Sequence, residues 1–202
     1  MDGNWQDSVG TNHGSSVNTP TTSTSSKVGS HALAVDVNGA GIGDFINVGS
    51  DSSLHLSNAV TQMAWVKATS ITTEIGAVIR NGAGADIQYS LFVFNDQRLS
   101  FQYHDGFFRT FYSTNTLEIG RWYHIAAVRD ASNNLSFYIN GKLDSTQVIT
   151  QETGGGGSVH IGATSGSAGQ DFDGLIDDVA IWSTALTASE ISLIYNRQKQ
   201  LY

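Results

Sequence analysis

Few side chains in this sequence are able to do chemistry, and their spacing narrows what that chemistry could be. The 202 residues hold no cysteine, which removes thiol nucleophiles, disulfide frameworks and cysteine-based zinc sites. Four glutamates, Glu74, Glu118, Glu152 and Glu190, are spread along the chain. None is placed to form the pair of carboxyl groups, about 5 to 5.5 Å apart, that a retaining glycoside hydrolase needs. Asp171, Asp173, Asp177 and Asp178 are the densest carboxylate cluster; they read as structural, while their spacing leaves open an inverting pair of aspartates. Serine is abundant, yet no Gly-x-Ser-x-Gly elbow leads a strand into a helix. The six histidines, His13, His31, His55, His104, His124 and His160, show no metal-ligand spacing.

One segment concentrates groups that suit recognition rather than turnover. Tyr89, Tyr103, His104, Asp105, Phe107, Phe108, Arg109 and Tyr112 crowd into a short stretch, and binding sites combine apolar walls with a few placed polar groups. The candidate ligand-binding residues are Tyr103, His104, Asp105, Phe107, Arg109 and Tyr112. Strand alternation sends half of such a stretch inward, with His104, Asp105 and Arg109 expected to face out.

The elements that must hold these groups are strands. Residues 1–30 are dominated by Gly, Asn, Ser and Thr and contain the only proline, Pro20, so they are expected to be mostly loop. From residue 31 onward, short runs rich in Val, Ile, Phe, Tyr and Trp recur between turn signals, the pattern of a β-sandwich or barrel. Asn140-Gly141 supplies the two positive φ angles of a type I′ hairpin, and His104-Asp105-Gly106 joins two aromatic strands. Gly154 to Gly157 reads as a flexible linker between strands. Trp65, Trp122 and Trp182 are expected in the core. The one helix expected is 187–199: Thr187 and Glu190 match a capping box, and Ile191, Ile194 and Tyr195 form an apolar stripe.

Composition sets outer limits. Charged residues make up 14% of the chain and the formal net charge is −8, so no basic face exists to neutralise nucleic-acid phosphates. An apolar fraction of 40% supports a full core. No apolar run reaches the ~18 residues of a membrane span, and no membrane insertion is expected. The N-terminus lacks the basic and apolar regions of a signal peptide. The chain is therefore read as one domain of a larger protein, with neighbouring domains among its partners.

Taken together, several segments resemble the laminin-G-like, or concanavalin A-like, jellyroll family, including its bacterial and pentraxin-related branches. They are Asp7 to Gly14, Ala32 to Asp36, Asp44 to Val48 and Met63-Ala64-Trp65-Val66-Lys67. Arg121-Trp122-Tyr123-His124-Ile125-Ala126, the Tyr138-Ile139-Asn140-Gly141 hairpin and the closing run from Phe172 to Trp182 complete the set. The resemblance implies an all-β, two-sheet antiparallel jellyroll sandwich over 1–202, with one short C-terminal helix. It also implies a structural Ca²⁺ at the sandwich edge; the matching positions are Asp7, Asp36, Asp44 and Asp177, helped by carbonyls in 39–43. Hydrolases of this fold carry a Glu-x-Asp-x-x-Glu strand, which this sequence lacks. The expectation is thus a non-catalytic extracellular binding or adhesion module, secreted or on the cell surface, that recognises a glycan or other cell-surface ligand. The alternatives are a structural spacer, a protein-binding domain or a glycoside hydrolase.

Overall fold

Alternating apolar residues ended by turn signals give strands, and two sheets of strands bury their facing sides against each other. The computed structural model of the protein describes residues 4–36, 43–70, 75–164 and 170–200. In chain order the strands are β1 Ser15–Val17, β2 Thr21–Ser23, β3 Ala32–Val35, β4 Phe45–Gly49, β5 Val60–Ser70, β6 Ile75–Asn81 and β7 Tyr89–Phe94. They continue with β8 Arg98–His104, β9 Phe108–Thr116, β10 Tyr123–Arg129, β11 Asn134–Ile139, β12 Lys142–Val148, β13 Val159–Ile161 and β14 Asp173–Trp182. One sheet has the order β1-β4-β13-β6-β7-β8-β9 and the other β12-β11-β10-β5-β14-β3-β2. All paired strands run antiparallel. This is the jellyroll sandwich the sequence predicts.

The core lies between the sheets. Ile79, Tyr89, Leu91, Val93, Leu99, Phe101 and Tyr103 from the first sheet meet Leu33, Ala64, Val66, Ile125, Ala127, Phe137 and Ile176 from the second. The loop-rich start is tied down more than its composition suggests. Both β1 and β2 add short edges to the two sheets, and the Asp177 carboxylate accepts hydrogen bonds from the Lys27 and Val28 amides, each 2.7 Å away.

Helix α1, Ala188–Lys199, begins as predicted. Thr187 Oγ1 accepts from the Glu190 amide and Glu190 Oε2 from the Thr187 amide, which satisfies orphan donors at both places. Its Ile191 and Ile194 lie on the outer side of the second sheet against Met63, Ala126, Val128 and Tyr138. Trp65 is buried, as expected of a core residue, and stacks on Tyr195, while Trp182 is half-buried and packs against the core cluster beneath the helix. Trp122 is half-exposed at the foot of β10.

At Asn140-Gly141 the φ angles are 51° and 72°, as a type I′ turn requires. Gly141 has a second reason to be glycine, since a Cβ there would lie 2.7 Å from the Tyr195 ring of α1.

Candidate functional site

The β8–β9 hairpin carries the predicted ligand segment to one end of the sandwich, and it divides the six candidates. Tyr103 is fully buried; its ring stacks on Phe111 and its hydroxyl bonds to Thr150. Its place on the inner face of β8 corrects its assignment as a ligand contact. Tyr112 is half-buried on the outer face, edge-on to Phe94 and beneath the Arg98 guanidinium. It lies apart from the hairpin tip, because three residues of strand separate it from Phe108.

The other four stay together at the tip. Arg109 Nε donates to both Asp105 oxygens at 2.9 Å, and its guanidinium lies 5.4 Å from the Phe107 ring centre. Asp105 also accepts from the Thr150 hydroxyl, and this bond, more than the Arg109 contact, holds its carboxyl below the usual carboxylate range. His104 Nδ1 accepts from the Gly106 amide, and its ring stands edge-on to Phe108. Phe107 is 69% exposed and Phe108, which the sequence reading left outside the ligand set, is 62% exposed. Two bare aromatic rings beside an oriented arginine form an apolar platform with a planar donor next to it.

The tip is anchored by loops that converge at the same end. The His104 amide donates to the Ile87 carbonyl, and the Thr153 amide donates to the His104 carbonyl. The glycine run beyond Thr153 is no loose linker. A Cβ on Gly154 would sit 2.7 Å from the Ile87 carbonyl oxygen, and one on Gly156 would sit 2.7 Å from the Gln88 amide oxygen. These glycines let the loop press onto its neighbours. Beneath it lies a pair that the sequence did not reveal: Arg129, 0% exposed, bonded to Glu152 at 2.5 Å and to the Leu56 and Gln88 carbonyls. Burial pushes the Glu152 carboxyl upward while the Arg129 charge works against it.

The other glutamates are equally committed. Glu118 pairs with Arg121 on the surface and Glu190 caps α1, while Glu74 lies outside the described residues. No two described glutamates face each other across a groove.

The aspartates offered for calcium separate into two groups. Asp7 accepts from the amides of Val9, Gly10 and Asn12 and organises a turn in the N-terminal segment, bonds that hold its pKa down. Asp177 is spent on Lys27 and Val28. These two do not converge with the rest, so the four do not form a single ion site. Asp36 and Asp44 instead face Asp173 and Asp171 at the opposite end of the sandwich. Asp171 is raised chiefly by burial, with the Asp44 charge adding to it, and Asp173 by burial and the Asp36 charge. The carbonyls of 39–42 lie outside the described residues. Among the described residues no group of three or more His, Asp or Glu side chains is arranged to hold a metal.

Residues 38–192 match the model of the family described as the concanavalin A-like lectin/glucanases superfamily. The chain belongs to this family. Among solved structures of the same fold is domain 4 of AbnA, an extracellular GH43 arabinanase from Geobacillus stearothermophilus, in complex with arabinotriose. It is 19% identical with a TM-score of 0.76, over 95% of this chain and 93% of that one. A SAP-like pentraxin from Limulus polyphemus is 20% identical with a TM-score of 0.58, over 73% and 74%. The binding domain of botulinum neurotoxin serotype G is 16% identical with a TM-score of 0.72, over 95% of this chain. The chain spans about half of that domain, 48% of its length. At these identities the likeness establishes the shared lectin/glucanase fold. A search of curated proteins returns no match.

Proposed function

We propose that the protein is a non-catalytic, glycan-binding module of an extracellular protein, secreted or held at the cell surface, and that it binds at the β8–β9 tip. The observation that carries this reading is the pair of exposed rings, Phe107 and Phe108, set beside the Asp105–Arg109 pair. Sugar C–H faces lie on such rings while planar polar groups meet the hydroxyls, as in other sites that combine apolar walls with a few fixed donors. Two proteins of the same fold support it: the arabinanase domain was solved with arabinotriose, and a type C neurotoxin is described by its interaction with two ganglioside molecules.

A glycan array followed by titration tests the proposal. Arg109→Ala removes a guanidinium fork suited to hydroxyls or carboxylates and is expected to weaken binding by about three- to a hundredfold. Phe107→Ala should weaken it as well while circular dichroism stays unchanged. Equal affinity in both variants removes the site from the tip, and release of reducing ends from the bound glycan overturns the non-catalytic reading.

The proposal extends to a structural Ca²⁺ at the opposite end, held through Asp36 and Asp44. The support is the repulsion they exert on Asp173 and Asp171, which a divalent cation relieves, and calcium takes oxygen ligands of this kind. Calcium at a hundredfold excess over its Kd should stabilise the fold by about 2.7 kcal/mol relative to chelator, and Asp44→Asn should abolish the gain. Identical melting with calcium and with chelator removes the ion from the proposal.

A further inference from the structure

Strand β14 is only half paired on one side. It follows β5 from Asp173 to Trp182, but β3 accompanies it only through Gly174, Leu175 and Ile176. A β-bulge follows, with Asp178 at a φ of 46° and the register against β5 broken between Asp177 and Ala180. From Val179 to Trp182 the edge facing away from β5 has no partner strand among the described residues. In an antiparallel ladder every second residue turns its N–H and C=O to a given side. That edge therefore presents backbone donors and acceptors at strand spacing.

The open edge borders a cleft of about 650 Å³. Its floor is the uncovered flank of the core, with Val48 and Ile161 from the first sheet, Leu54 from the short 3-10 turn that follows β4, and Val179 and Ile181 from β14. Ile176, where β3 is present, is 0% exposed, whereas Val179 and Ile181 on the same inner side are only half-buried. The far wall is the N-terminal segment around Trp5, and it is built rather than loose. Asp7 fixes its turn through three amides, the Gly14 amide donates to the Trp5 carbonyl, and Asn12 Nδ2 donates to Ser53 Oγ. The lining includes Asp7 and Asp178 and no Lys or Arg among the described residues.

We propose that this cleft accepts an extended peptide from a protein partner, added to the second sheet as a strand beside Val179–Trp182, in line with β3. A row of unpaired backbone groups at strand spacing is matched by another peptide backbone. The apolar floor selects aliphatic residues at alternate positions, and the acidic rim selects basic residues between them. An edge of this length pairs with four or five residues, roughly 16 Å of strand.

The probe is the peptide acetyl-Lys-Val-Lys-Val-Lys-amide, titrated calorimetrically into the 202-residue protein, with amide exchange followed in parallel. Two further versions carry N-methyl groups, one on both valines and the other on the lysines. Strand addition uses the amides along one edge of the peptide only. One methylated version should thus bind within about threefold of the parent, while the other loses at least tenfold. The amides of Val179 to Trp182 should become protected on binding. Absence of binding at millimolar peptide, equal weakening by both methylation patterns, or protection confined to the β8–β9 tip would each overturn the proposal. Glycan binding at the tip is measured separately and is left unchanged by either result.

Discussion

Arg129 and His124 stand at opposite ends of β10, and the fold buries both, one on each face of the same strand. Arg129 points between the sheets, where it meets Glu152 and two backbone carbonyls. His124 points outward under α1, 1% exposed, edge-on to Trp65 and 5.8 Å from the Tyr195 ring, with neither ring nitrogen hydrogen-bonded. The two show alternative ways for a titratable group to lose its water. Arg129 keeps its charge because a counter-charge and carbonyl oxygens replace the solvent. His124 has nothing to replace the solvent and is held neutral, its pKa lowered by burial to about 4. A paired charge fails when its partner goes, whereas an unpaired neutral base fails when protons arrive.

The largest expected effect follows from the first half of that contrast. Glu152→Ala leaves the Arg129 guanidinium buried without its counter-charge, and breaking a buried pair from one side typically costs about 3 to 5 kcal/mol. Urea unfolding of the single variant against Arg129→Met/Glu152→Leu checks this. The double variant, which buries no charge, should recover most of the loss. Equal loss in both would mean that loop packing around Gly154 and Gly156, rather than the charge, governs the stability of this end.

The second half predicts acid sensitivity with a definite sign. His124 titrates near 6.5 when unfolded and near 4 when folded, so between these values the unfolded chain binds a proton that the folded chain refuses. Its contribution is present above pH 6.5 and lost as pH falls towards 4, on the order of 3 kcal/mol in full. His160 is shifted the same way by burial and Arg80, so the wild type alone cannot isolate the effect. His124→Phe keeps a ring between Trp65 and Tyr195 and gives up no hydrogen bond. It should match the wild type at pH 7 and be the more stable protein at pH 5. A constant difference across that range would show that His124 is not the group responsible.

What the sequence made legible follows the same division between local and distant causes. The Asn140-Gly141 turn, the Thr187-Glu190 capping box and the strand periods are set within a few residues, and they stand where the spacing placed them. Phase is a different matter: alternation says that Tyr103 and His104 point to opposite sides, but which side is the core depends on the facing sheet. Arg129 ends the run Ile125-Ala126-Ala127-Val128 as a solvent-facing residue would. Its partner lies in a loop whose glycines read as slack until the carbonyl of Ile87 is placed against them. The cleft beside β14 comes from a strand that stops early, and no residue type marks a missing neighbour. The calcium set mixed both kinds: Asp7 and Asp177 sit in family-like positions, yet backbone amides drawn from the N-terminal segment occupy them.

The smallest effect sharpens the comparison at the helix that keeps His124 dry. Gln198 of α1 accepts from Trp65 Nε1 at 2.9 Å, and Tyr195 stacks on the Trp65 ring, so the seat over His124 is made by the last turns of the helix, while the cap that starts it lies at Thr187. Replacing a capping threonine by alanine costs about 1 kcal/mol, small against the whole fold. If α1 opens as a unit, that loss falls on the local equilibrium that admits water to His124. Thr187→Ala should then speed amide exchange through Ile191 to Gln198 by about fivefold. It should leave exchange near Arg129 unchanged, because the buried pair between the sheets does not depend on the helix. Faster exchange at both ends of β10 would mean that the helix and the sandwich open together, and that the two burials are guarded by one transition rather than two.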